Sequence, residues 1–153
     1  MTSSSLKDSL DHLLFDGSVW CNMDVALRNL DQVIGSHVRQ YNISVIEWYI
    51  LRALYQQDGV QASKLARAVG RSATSFTPNL DKLQEKGLIE RRQDIADRRA
   101  TLVHLTPKGH ALRDAVLRSA SEVDQYIARH FAPHEFQIFL SVLQRLQELP
   151  PLD

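Results

Sequence analysis

With 153 residues, 18 lysines and arginines against 18 aspartates and glutamates, and 44% apolar residues, the chain is long enough to bury a core without disulfides or metals. No apolar run approaches the roughly 20 residues that cross a bilayer, and residues 1–11 lack the basic-then-apolar order of a signal peptide, so a cytoplasmic protein with no membrane partner is expected. The single cysteine, Cys21, excludes an internal disulfide.

Leu6 to Phe15 has helical apolar spacing and stops at Asp16-Gly17. From Ser18 to about Tyr41, Val19, Met23, Leu27, Leu30, Ile34 and Val38 recur at intervals of three and four, which lays them along one stripe of a long helix. Ser44 three residues before Glu47 is a capping box, with Ile43 placed to staple against Trp48; this helix should run to about Gln57 and stop at Asp58-Gly59. Leu65, Ala66 and Val69 predict a short helix ending at Gly70, a residue suited to a tight left-handed turn. Phe76, Leu80 and Leu83 then form the inner face of a helix that ends at Gly87.

Leu88 to Arg92 and Ala100 to Leu105 read as strands joined by a polar loop, Gln93 to Arg99. Thr106 is an N-cap, with Pro107 at the first helical position. One long helix should follow, inward at Leu112, Val116, Ser119, Val123 and Ile127. Ala132-Pro133 starts a last one, apolar at Phe136, Phe139, Leu140, Leu143 and Leu146 and closed by Pro150-Pro151. The result is a mainly α chain with a small β-wing: one domain over 1–153, a winged helix-turn-helix at about 44–105, and dimerisation helices at about 6–41 and 107–149. The terminal stripes exceed what the winged part can cover, and pairing with a second copy would bury them.

Zero net charge hides an asymmetry. Residues 61–109 hold ten lysines and arginines against five acids, a net of +5, and the remainder carries −5. Phosphate affinity follows the local field of the contacting face, so the middle of the chain is where DNA would bind.

Asp97-Arg98-Arg99, followed by Leu102-Val103-His104-Leu105-Thr106-Pro107-Lys108-Gly109 and preceded by the run Leu80 to Arg91, resembles the wing region of the MarR family of transcriptional regulators. The resemblance extends from about Ser18 to Leu146. It implies a homodimer whose terminal helices intertwine, double-stranded DNA as partner through a pseudo-palindromic operator, and release by a small ligand or by oxidation. A dimer sets two recognition helices about 34 Å apart, one turn of duplex.

The residues expected at DNA are Arg71, Ser72, Thr74, Ser75, Thr77, Asn79 and Lys82 on or beside the recognition helix, and Arg98 and Arg99 on the wing. Arg99 is the candidate for the minor groove and Arg98 for a phosphate. Asp97 should orient the tip by pairing with a nearby arginine. Pro78 departs from the family pattern; it predicts a helix that starts late, capped by Ser75, or one that bends. Trp48 and Arg52, with His37 and Tyr41, resemble the lining of the family's ligand crevice, and would suit a small aromatic or anionic molecule. Cys21 sits in the first turn after Ser18, a position open to redox sensing.

No nucleotide loop, serine elbow or zinc motif is present, so neither an enzyme nor a cofactor is expected. His130 and His134 have ligand spacing, but Ala132-Pro133 turns them apart, and His104 to His110 spans a strand-to-helix cap, so no metal is expected. Two alternatives remain: a redox- or metal-responsive regulator of the same fold, and a winged helix that joins only proteins.

Overall fold

The computed structural model describes residues 18–70 and 73–150, with side chains in the second stretch described from Phe76 onward. The leader expected at Leu6 to Phe15 lies outside them, as do Arg71 and Ser72.

Helix α1 (Val19–Val38) is capped by Ser18, whose Oγ accepts the Cys21 N–H at 3.4 Å. Of its apolar stripe only Ile34 and Val38 are buried; Val19 and Leu27 are exposed, and neighbouring Trp20 is 79% exposed. A 3-10 turn at Arg39–Tyr41 and a left-handed Asn42 (φ 56°) reverse the chain into α2 (Val45–Gln56). The capping box of α2 is complete: Ser44 Oγ accepts the Glu47 N–H at 3.3 Å, and Glu47 Oε2 accepts the Ser44 N–H at 2.6 Å. Ile43 and Trp48, the expected staple, both belong to the buried core.

Strand β1 (Val60–Gln61) was not among the expected elements. It joins β2 (Ile89–Gln93) and β3 (Thr101–Leu105) in an antiparallel sheet of order β1-β3-β2, with Val60 opposite Val103 and Arg91 opposite the same residue from the other side. Between β1 and β2 lie α3 (Ala62–Ala68) and α4 (Ala73–Glu85). Gly70 takes φ +68° in the turn between the two helices.

After β3 the expected single helix is two. Thr106 caps α5 (Pro107–Ala111), accepting the Gly109 N–H at 3.1 Å, and α5 closes at Leu112 before α6 (Arg113–Ala128) begins. Tyr55 of α2 ties the short helix down by donating to the Gly109 carbonyl at 2.9 Å. Burial pushes the Tyr55 hydroxyl up to about 12, with Arg113 opposing weakly, so it stays a donor throughout the neutral range.

The core lies where α2, α4 and the sheet meet α6, around Ile50, Leu54, Phe76, Leu83, Val103 and Val116. Trp48 crosses from α2 to α6: its Nε1 donates to Ser119 Oγ at 2.9 Å, and the Ser119 hydroxyl in turn donates to the Val116 carbonyl at 2.7 Å. That relay satisfies two buried polar groups that would otherwise each cost roughly 1–3 kcal/mol. The last helix, α7 (Pro133–Gln147), has no buried residue; Phe136 and Phe139 meet Phe131, and Ile138, Leu140 and Val142 are exposed.

Two glycines separate two kinds of strain. A Cβ on Gly109 would stand 2.1 Å from the Leu88 carbonyl oxygen, which is backbone and already accepts the Thr106 N–H. A Cβ on Gly70 meets nothing within 4 Å, so only its left-handed φ is at stake. Gly109→Ala is therefore expected to cost about 3 kcal/mol or more by overpacking, and Gly70→Ala about 1–2 kcal/mol. Urea unfolding of the two variants checks the order, and equal losses would mean that α5 yields where it meets Leu88.

Candidate nucleic-acid interface

In α4, Phe76, Leu80 and Leu83 are buried against the core, each at or below 2% exposure, which leaves Thr77, Pro78 and Lys82 on the solvent side and Asn79 half-buried. Thr74 and Ser75 lie within the helix. The late start expected from Pro78 does not occur. The helix runs from Ala73 through Pro78, so the proline falls past the first turn, where its missing N–H removes the ordinary helical bond to the Thr74 carbonyl.

What orients this helix is a carboxylate from another one. Glu47 of α2 is 1% exposed; besides closing the capping box, its two oxygens accept from Lys86 Nζ, just beyond α4, at 2.8 and 2.7 Å. The Lys86 carbonyl in turn accepts Lys108 Nζ of α5 at 2.8 Å. On the other side Asp81 pairs with Arg91 of β2, whose Nε also donates to Gln84 at 2.8 Å. The helix is thus fixed to α2, α5 and the wing by charged contacts at its C-terminal end. Sequence reading took Glu47 as a cap only and Lys86 as one charge among ten; an ion pair 39 residues apart leaves no local signal.

The wing tip is shaped by its two aspartates. Asp94 Oδ1 accepts the Ala96 N–H at 2.9 Å, and Asp97 Oδ1 accepts the Arg99 N–H at 3.0 Å. Both are side-chain turns of the kind that lets aspartate stand in for a backbone carbonyl. Gln93 Nε2 donates to the Arg98 carbonyl at 2.6 Å, and the Ala100 N–H bonds back to the Asp97 carbonyl at 2.8 Å. The expected Asp97–arginine ion pair is replaced by this backbone contact; among the described residues no arginine nitrogen lies within ion-pair distance of Asp97. The carboxylate folds the loop, and Arg98 and Arg99 project exposed from it.

The cations of the basic segment divide accordingly. Lys86, Arg91 and Arg92 pair with Glu47, Asp81 and Glu90. Lys64, Arg67, Lys82, Arg98 and Arg99 are exposed, with no carboxylate at ion-pair distance among the described residues.

The four residues expected to line one crevice stand in different places. Trp48 is core, and Arg52 lies over its ring at 4.8 Å. His37 faces α6, with Nε2 2.7 Å from Glu122 Oε2 but not aligned as a hydrogen bond. Tyr41 lines a cleft of about 430 Å³ with Lys86, Leu88, Lys108 and Leu112. Cys21 is half-buried in the first turn of α1.

Two helices joined at a glycine turn, the second presenting a polar face and followed by an antiparallel ribbon with arginines at its tip, define a winged helix-turn-helix protein. Residues 43–101 match the MarR family model, and the chain is similar to transcriptional regulators of that family. It is 27% identical over 130 residues to YsmB, an uncharacterized HTH-type transcriptional regulator of Bacillus subtilis (strain 168), covering 82% of this chain and 89% of YsmB. A MarR transcriptional regulator from Methanosarcina mazei Go1 has a solved structure that superposes with a TM-score of 0.73 at 25% identity, covering 82% of this chain and 94% of that one. BpsR of Bordetella bronchiseptica, described as regulated in its DNA binding by 6-hydroxynicotinic acid, shares the fold with a TM-score of 0.69 at 22% identity, covering 82% of this chain and 98% of BpsR. Among the described residues no helix is long and apolar enough to cross a membrane.

Lys86→Met is expected to cost about 3 kcal/mol, because it strands a buried carboxylate without its counter-charge. Adding Glu47→Gln should recover more than half of that loss. A double-mutant cycle in urea measures the coupling, and simple additivity of the two changes would remove the pair from its orienting role.

Proposed function

We propose that this chain is a sequence-specific, double-stranded DNA-binding transcriptional regulator, working as a homodimer on a pseudo-palindromic operator and acting as a repressor released by a small effector. The observation that carries the reading is the wing: a loop folded by Asp94 and Asp97 so that Arg98 and Arg99 stand exposed, braced through Arg91 to the helix that offers Thr77 and Lys82 to solvent. A carboxylate spent on a backbone N–H leaves the neighbouring guanidinium available to a phosphate or a narrow groove. In this reading Arg99 enters the minor groove, Arg98 holds a phosphate, and Arg71, Ser72, Thr74, Ser75, Thr77, Asn79 and Lys82 serve the major groove and its flanks.

Pairing is supported by what the single chain leaves uncovered. Helix α7 buries none of its residues, and Trp20, Leu27 and Ile138 are all more than half exposed. Covering such surfaces is what a symmetric interface between two copies does.

The effector is best placed in the cleft at Tyr41. Its volume of about 430 Å³ is within the usual range for small ligands. Tyr41, Leu88 and Leu112 supply apolar walls, and Lys108 an ammonium beside Lys86, which Glu47 holds, and the Glu85 carboxylate; Lys108 is the group that would take the acid of a small aromatic ligand such as the one BpsR responds to. Lys108 also holds the carbonyl that ends the recognition helix, so a carboxylate that captures Lys108 would loosen that end of the helix.

Arg99→Ala is expected to weaken duplex binding at least tenfold and to lower the slope of log affinity against log salt by about 1, the loss of one phosphate-neutralising contact. Fluorescence anisotropy across a salt series reads both. Unchanged affinity and slope would take the wing out of DNA recognition.

A further inference from the structure

Apart from its arginines, the wing ends in an apolar residue. Ile95 is 98% exposed, more than any other large apolar side chain among the described residues; Trp20, the next, stands at 79%. Ala96 beside it is exposed as well. A single apolar side chain on a surface is ordinary in itself, so the weight falls on how the loop carries this one.

The polar groups on either side of Ile95 are engaged within the loop. The Asp94 N–H donates to the Ala100 carbonyl at 3.0 Å, and Asp94 Oδ1 accepts the Ala96 N–H at 2.9 Å. Gln93 Nε2 holds the Arg98 carbonyl, and Asp97 Oδ1 accepts the Arg99 N–H. These bonds close the loop below residues 95 and 96, so the tip is preformed, and a β-branched side chain has little rotamer freedom to lose on docking. Arg98 and Arg99 extend from the same loop, exposed and with no carboxylate at ion-pair distance among the described residues. An apolar tip flanked by two guanidinium groups is complementary to a groove with phosphates along its rims and deoxyribose C–H groups along its walls.

We propose that Ile95 enters the minor groove beside Arg99 and sets a sequence preference there. Its side chain packs on deoxyribose and on the floor of A·T pairs. At G·C pairs it is disfavoured, because it would leave the guanine 2-amino group without an acceptor. The inference rests on the DNA-binding reading above and adds to it a specificity-determining residue. An apolar contact releases no counterion, so it raises affinity without changing the salt slope, in contrast to Arg99.

Two duplexes of alternating sequence, one of inosine and cytosine and one of guanine and cytosine, present the same major-groove groups and differ in the minor groove by the 2-amino group. In fluorescence anisotropy the full chain should bind the inosine duplex more tightly by about fivefold or more. Ile95→Ala should lose most of that preference and weaken binding to the inosine duplex by a similar factor, with the salt slope unaltered, and Ile95→Leu should keep the preference. The urea midpoint of Ile95→Ala should match the parent's, since the side chain rests on almost nothing of its own chain. Binding of Ile95→Ala equal to the parent's on both duplexes, with Arg99→Ala still weakened, would remove Ile95 alone from the interface. An equal loss on both duplexes would overturn the preference assigned to it. Absence of salt-dependent binding to either duplex by the unaltered chain would bring down the DNA-binding reading as well, an outcome distinct from the other two.

Discussion

The attitude of the recognition helix depends on one buried carboxylate. Glu47 begins as a local device, completing the cap of α2 by accepting the Ser44 N–H, and the same group then reaches Lys86 at the far end of α4. Taking a carboxylate out of water costs several kcal/mol, and the cost is offset here by a cap N–H and an ammonium aimed at its two oxygens. Phe76, Leu80 and Leu83 pack the inner face of α4, and the ion pair adds a directional contact at its C-terminal end. Lys108 continues the chain of contacts into α5, so α4 is tied to the element that leads into α6.

The wing follows the same economy of charge. Among the described residues of the basic segment, whose total is only +5, Lys86, Arg91 and Arg92 are paired internally while Lys64, Arg67, Lys82, Arg98 and Arg99 stand exposed without a carboxylate, and the sorting is done by where acids sit. Asp81 and Glu90 occupy Arg91 and Arg92 next to the sheet, while Asp94 and Asp97 turn inward to backbone N–H groups. The tip stays balanced in charge, but its two guanidinium groups are left without an ion-pair partner among the described residues. A net charge of zero for the whole chain is compatible with a phosphate-binding face for this reason.

Features carried by local chemistry were legible in the residues. The Ser44 box, the Thr106 cap, the glycine turn at Gly70 and the inward faces of α4 and α6 depend on neighbours within one or two helical turns. Strand β1 was not, since two residues become a strand only by pairing with Val103 and Leu102 some forty positions away. The break at Leu112 was hidden because Leu112 keeps the apolar spacing on both sides of it. Trp48 was read as crevice lining because an indole beside an arginine suits a ligand, yet its N–H finds Ser119 across the core, a partner 71 positions later.

Selecting bound duplexes from a random pool tests most directly the claim that two copies present twin recognition helices and wings to DNA. Enrichment of an inverted repeat whose half-site centres lie about 10 base pairs apart is the expected result, because that spacing matches helices one turn of B-DNA apart. Recovery of a single unrepeated half-site, or of no enriched sequence even in dilute salt, would contradict it.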